Sequence, residues 1–143
     1  MKTILSFCLA GIIVLCGFTG KKSPDIQGAW NYVASKSVNG NKVTVTSTAM
    51  QNQMKIWTGG HFAFVGTYKH GRKVFNNYGG GTYTLNGNLY NETIVYHVDK
   101  KLVGKTIKMV IEIRNDTLIQ TWPADDEGKI NPASFAEEKY VRP

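Results

Sequence analysis

Between residues 28 and 142 short runs in which large apolar residues recur at every second position alternate with turn signals, the spacing of strands with one buried face. Residues 28–34 set Trp30 and Tyr32 against smaller neighbours, and residues 42–46 alternate Val43 and Val45 with Lys and Thr. Between them Asn39-Gly40-Asn41 is a turn signal. Residues 48–54 are the one stretch that reads as a short helix or a lid loop. Residues 54–57 then lead to a break at Thr58-Gly59-Gly60. Further on, Phe62, Phe64 and Tyr68 share a face, residues 69–72 turn the chain, and Gly79-Gly80-Gly81 opens the strand 82–85. Asn86-Gly87-Asn88 closes a hairpin into 89–98, where Tyr90, Glu92, Ile94, Tyr96 and Val98 fall on one face. After a turn at 99–104, Ile107, Met109, Ile111 and Ile113 face one way and Lys108, Glu112 and Arg114 the other. Asn115-Asp116 turns into 117–122, and a polar loop, 123–134, precedes the last element, 135–142.

This meander predicts an all-β fold, and an up-and-down antiparallel barrel of about eight strands closes it most economically, because closure removes both edges. A two-sheet sandwich is the structural alternative. No internal repeat and no low-complexity tract interrupts the pattern.

The N-terminus does not fit the meander. Lys2 is followed by an apolar run from Ile4 to Leu15 and then by the small-residue segment Cys16-Gly17-Phe18-Thr19-Gly20. A spanning helix needs roughly 20 apolar residues, and this run is shorter. Residues 1–20 are therefore expected to be a signal peptide and 21–143 the mature barrel domain, without a transmembrane segment. The expected location is outside the inner membrane: periplasmic, outer-membrane-associated or extracellular. Ile13-Val14-Leu15 is a bulky lead into Cys16, so soluble export is expected, with a lipid anchor on Cys16 as the alternative. Both cysteines, Cys8 and Cys16, fall within the leader, which leaves the processed chain no thiol for disulfides, metal binding or nucleophilic attack.

Charge adds little. The whole chain carries +7, and losing Lys2 with the leader lowers this by one. The cations, Lys36, Lys42, Lys55, Lys69, Lys73, Lys105, Lys108 and Arg114 among them, are spread over separate turns and strands, which reads as a solvated surface. Nucleic-acid proteins gather such charge on one face, so no nucleic-acid partner is expected.

Two features carry a resemblance. Gly28-Ala29-Trp30 at the start of the first strand and Arg142 in the final element resemble the Gly-x-Trp start and C-terminal Arg of the calycins. In that superfamily the Arg packs over the Trp and closes the barrel bottom. His61-Phe62, Gly79-Gly80-Gly81-Thr82-Tyr83, Tyr90-Asn91-Glu92 and Tyr140-Val141-Arg142 are similar, more specifically, to lipocalin-like exported proteins of Bacteroidetes, over nearly the whole of 21–143. The chain lacks the Thr-Asp-Trp loop and the disulfide of transport lipocalins. What the resemblance implies is a barrel, a cavity, and barrel closure by Trp30 and Arg142.

The candidate site follows from the aromatic face. Trp57, Phe62, Phe64, Tyr83, Tyr90 and Tyr96 either pack a barrel core or wall a cavity for one small ligand. Glu92, on the face of Tyr90 and Tyr96, tips this toward a cavity, since a carboxylate among aromatics needs a partner or water. It would accept a hydrogen bond from a ligand hydroxyl or amine, or else pair with a buried Arg or Tyr. The three histidines, His61, His70 and His97, lack metal-ligand spacing, and the glycine run precedes a strand rather than a phosphate-binding helix. No cofactor or metal is therefore expected.

The expected function is a non-catalytic envelope protein that binds a small, apolar or amphipathic molecule in an open pocket of several hundred cubic ångströms. A protein-interaction or inhibitor module with a packed barrel is the alternative, and an enzyme using Glu92 with a Tyr or His comes third.

Overall fold

The computed structural model describes residues 22–143. The expected leader, 1–20, with Cys8 and Cys16, lies outside the described residues. Nine strands follow one another in antiparallel order: β1 (Gly28–Asn39), β2 (Lys42–Ser47), β3 (Gln51–Thr58), β4 (His61–His70), β5 (Lys73–Asn86), β6 (Leu89–His97), β7 (Thr106–Arg114), β8 (Thr117–Trp122) and β9 (Ser134–Val141). A single 3-10 turn (Lys100–Leu102) joins β6 to β7. Among the described residues no helix is long and apolar enough to cross a membrane.

Closure is made by β1. One of its edges pairs with β9 from Asn31 to Asn39, and the other is divided, Gly28–Asn31 pairing with β3 and Ala34–Asn39 with β2. The ring β1-β3-β4-β5-β6-β7-β8-β9 is thus a closed eight-stranded antiparallel barrel, with β2 folded back beside β1. This excludes the sandwich, which would leave β9 unpaired to β1. Tight turns set the registers: Asn115 and Asp116, with φ of 47° and 62°, take the left-handed conformation of a two-residue hairpin.

Several strands depart from the expected pattern: in β2 both Val43 and Val45 are exposed. Residues 51–54, expected as part of a helix or lid, belong to β3, which starts at Gln51. There the polar residues face inward: Gln53 and Lys55 are buried with Trp57, while Met54 and Ile56 stand outside. Polar-in alternation disguises a strand, because the period survives and its sign does not. The glycines 79–81 do not open a strand either; β5 runs straight through them.

Instead, a bulge sits opposite these glycines. Gly80 pairs with Tyr96 and Gly81 with Ile94, so Val95 is an extra residue in β6. A side chain on Gly81 would run into the Thr93 carbonyl oxygen, and only glycine fits there. The inserted residue reverses the alternation: Tyr90, Glu92 and Ile94 point in, and after the bulge His97 does.

At one end the barrel is sealed. Trp30 is 2% exposed, and its Nε1 donates to Ile26 O at 2.9 Å. The Arg142 guanidinium carbon lies 3.9 Å from the Trp30 ring centroid, and Nη1 donates to the Gln27 carbonyl. Above them Trp57 meets Tyr90 and Tyr140 edge-to-face, with centroids at 6.5 and 6.1 Å. Ile111 and Leu118 belong to the same buried cluster.

Candidate functional site

Above this aromatic floor the interior turns polar. Lys55 Nζ donates to Glu92 Oε2 at 2.6 Å and to Gln120 Oε1 at 3.3 Å. Tyr90 donates its hydroxyl hydrogen to the same Glu92 oxygen at 2.9 Å and accepts from Trp57 Nε1 at 2.9 Å. The ammonium also lies over the rings of Phe62 at 5.0 Å, Trp57 at 5.1 Å and Tyr90 at 5.9 Å. A second chain runs beside the first: Asn77 donates to Gln53 at 2.8 Å, Gln53 to the Tyr140 hydroxyl at 2.9 Å, and Tyr140 to Glu138.

These groups border a cavity of about 200 Å³ inside the barrel. Lys55, Glu92, Glu138, Gln53, Asn77 and Gln120 form its polar wall, and Phe64, Ile94, Ile107, Met109 and Trp122 its apolar one. His97 from β6 and Leu102 from the 3-10 turn complete the lining. The cavity is narrower than the expected pocket of several hundred cubic ångströms, because inward side chains from seven strands converge on it.

Burial governs the titratable groups here. It holds the Glu138 carboxyl above the usual carboxylate range, opposed by the Tyr140 hydrogen bond and the Lys55 charge and reinforced by Glu92. Burial likewise raises the Tyr90 and Tyr140 phenols, with Glu92 and Glu138 respectively the next cause.

The seven residues expected to bind ligand divide into four groups. Glu92 and Phe64 line the cavity. Trp57, Phe62 and Tyr90 are buried around the Lys55 ammonium, as its box rather than as cavity wall. Tyr83 is half-buried at the sealed end, its ring 5.3 Å from Tyr90 and its hydroxyl accepting from Gln27 at 2.6 Å. Tyr96 is a correction: it is 72% exposed on the outer surface, put there by the Val95 bulge. Val98, expected on the same inner face, is exposed as well.

Lys55 is a second correction. Its expected place was the solvated surface; its side chain is 4% exposed in the barrel centre. With Gln53, Asn77, Gln120, Glu138 and His97 it is a member of the site that the apolar pattern does not reveal. The available signal was Gln53, Lys55 and Trp57 at period two, which puts them on one face. Of the histidines, His97 lines the cavity while His61 and His70 are exposed.

Outside the barrel, the glycines leave a groove of about 500 Å³ between Ala63, Tyr78, Val95 and Tyr96. The neighbouring Met54, Ile56 and Val65 are exposed too. Neither protein-family models, nor curated proteins, nor solved structures match this chain. Its function is therefore read from geometry.

Proposed function

We propose that this protein is an exported, non-catalytic binding protein of the lipocalin-like kind, which holds one compact amphipathic molecule inside its barrel. The observation that carries this reading is the interior cavity with its polar wall, of which Gln53, Lys55, Glu92 and Gln120 are buried. An eight-stranded barrel can fill its interior with aliphatic side chains. A buried ion pair is weak evidence of stabilisation, since apolar residues of similar volume often do as well or better. Groups kept in such a place at such a cost are best explained by something they bind. At about 200 Å³ the cavity is below the usual range for drug-sized ligands, which favours a small molecule. Its polar end would meet Glu92 and Glu138, and its apolar end Phe64, Ile94 and Ile107.

Native mass spectrometry of the protein purified from its own envelope tests this. The expected result is a mature chain beginning between residues 17 and 22 that carries one small non-covalent adduct. Ligand-free protein, with cavity residues that do not respond to any small amphipath in solution NMR, would refute it. A diacylglyceryl group on Cys16 would change the location to a membrane surface and leave the binding reading standing.

One observation favours a second reading, a protein-interaction module: the exposed groove bordered by Tyr78 and Tyr96. The two readings differ in which face matters. Under the second, Tyr96→Ser abolishes function and cavity substitutions that preserve the fold do not.

A further inference from the structure

We propose that the barrel selects a small organic cation, a primary ammonium compound with a short hydrocarbon chain, held between Glu138 and the free oxygen of Glu92. This deepens the binding reading above and rests on it.

Inside the cavity, glutamates outnumber lysines. Three side chains of its lining carry formal charge: Lys55, Glu92 and Glu138. The ammonium of Lys55 is committed, to Glu92 Oε2, to Gln120 Oε1 and to three aromatic rings. Glu92 receives both of its hydrogen bonds on Oε2. Among the described residues none donates to Oε1, although the side chain is only 5% exposed and borders the cavity. Glu138 receives the Tyr140 hydroxyl, and among the described residues no cation bonds to it; the adjacent Lys139 pairs with Glu137 at 3.5 Å.

Among the described residues, His97 bonds to neither carboxyl group. Its Nδ1 is turned to the backbone instead, accepting the N–H of Asp99 at 2.9 Å. The remaining polar groups, Gln53, Asn77 and Gln120, are amides. Two carboxyl groups thus share one ammonium, and burial holds Glu138 toward its protonated form while no second cation pairs with it. A carboxylate away from water is costly until it is paired. A second ammonium supplies the pair together with two charge-assisted hydrogen bonds. An anionic ligand would instead add negative charge beside two carboxyl groups and find the donors of Lys55 already taken.

Shape narrows the class. At about 30 Å³ per water, 200 Å³ is roughly seven waters' worth of space. Phe64, Ile94, Leu102 and Ile107 make the rest of the wall apolar, which suits a chain of a few methylenes.

Isothermal titration calorimetry on the full processed chain at neutral pH tests this with three probes of matched length, n-butylammonium, n-butanol and butyrate. Butylammonium should bind about tenfold or more tightly than butanol, with butyrate weakest. Glu138→Gln should abolish the preference for the ammonium and retain butanol binding, which also reports an intact cavity. Equal affinity for ammonium and alcohol, tightest binding of butyrate, or a preference that survives Glu138→Gln would each overturn the cation assignment and leave a binding barrel. If none of the probes binds or shifts the Met109 and Ile107 methyl resonances, the binding reading falls with it.

Discussion

Lys55 Nζ and Glu92 Oε2 meet at 2.6 Å in the centre of the barrel, with side chains only 4% and 5% exposed. Each removes the other's charge from an environment that tolerates neither alone. Lys55→Met should therefore cost about 3–5 kcal/mol, because it strands the Glu92 carboxylate, and Glu92→Leu should cost a similar amount. The double variant, which removes both charges and keeps apolar volume, should fall within about 2 kcal/mol of the wild type. Urea unfolding of all four proteins gives the coupling energy. Additive losses would mean that the pair matters through its separate packing and not as a pair. Glu92→Gln belongs to the same family: on sequence grounds it leaves the fold intact, whereas the ion pair makes it destabilising.

Trp30 and Arg142 close the sealed end, but unequally. Trp30 is buried and bonded to Ile26, so Trp30→Ala should cost about 3–5 kcal/mol through lost area and a cavity. Arg142 stacks on the ring from an exposed position, where a cation–π contact contributes about 0.5–1 kcal/mol. Thermal unfolding of Trp30→Ala, Arg142→Ala and the double variant should show Arg142→Ala costing little once Trp30 is gone. An undiminished cost in the Trp30→Ala background would show that Arg142 acts through Gln27 instead.

Gly81 fixes the bulge that turns Tyr96 outward and His97 inward. Since a Cβ there collides with the Thr93 carbonyl, Gly81→Ala should cost roughly 2–4 kcal/mol. Amide exchange should quicken along 93–97 before the rest of the barrel loosens. A variant with wild-type stability and protection would show that the bulge can relax freely.

These residues mark where the sequence could and could not be read. The closed barrel and its seal were legible because Trp30, the alternating strands and Arg142 obey simple rules: apolar side in, turns at Gly and Asn. Glu92 was legible as an anomaly, a carboxylate on an aromatic face. Its partner was not, because β3 alternates with its polar side inward, and a lone lysine in a strand looks like any surface cation. Tyr96 was misplaced because a one-residue bulge has no signature beyond the glycines that face it. Glu138 shares a strand with Glu137 and Lys139, and only closure of β9 onto β1 decides which of the three faces inward.

Alkaline pH offers a direct probe of the polar interior. Burial raises the phenol pKa values of Tyr32, Tyr90 and Tyr140, while in the unfolded chain a tyrosine titrates near 10. Above pH 10 the unfolded chain therefore loses protons that the folded barrel keeps, and ionisation favours unfolding. Stability from these groups is complete below about pH 10 and falls as pH rises, each tyrosine contributing up to a tenfold change in the unfolding constant per pH unit. Tyr90→Phe should be less stable than the wild type at pH 8, since it strands Trp57 Nε1 and removes a donor to Glu92. Its disadvantage should shrink between pH 10 and 12, because the variant has one proton fewer to lose on unfolding. Urea midpoints measured for both proteins across this range check the claim. Parallel curves would mean that Tyr90 ionises as readily in the barrel as outside it, and that water reaches the floor of the cavity.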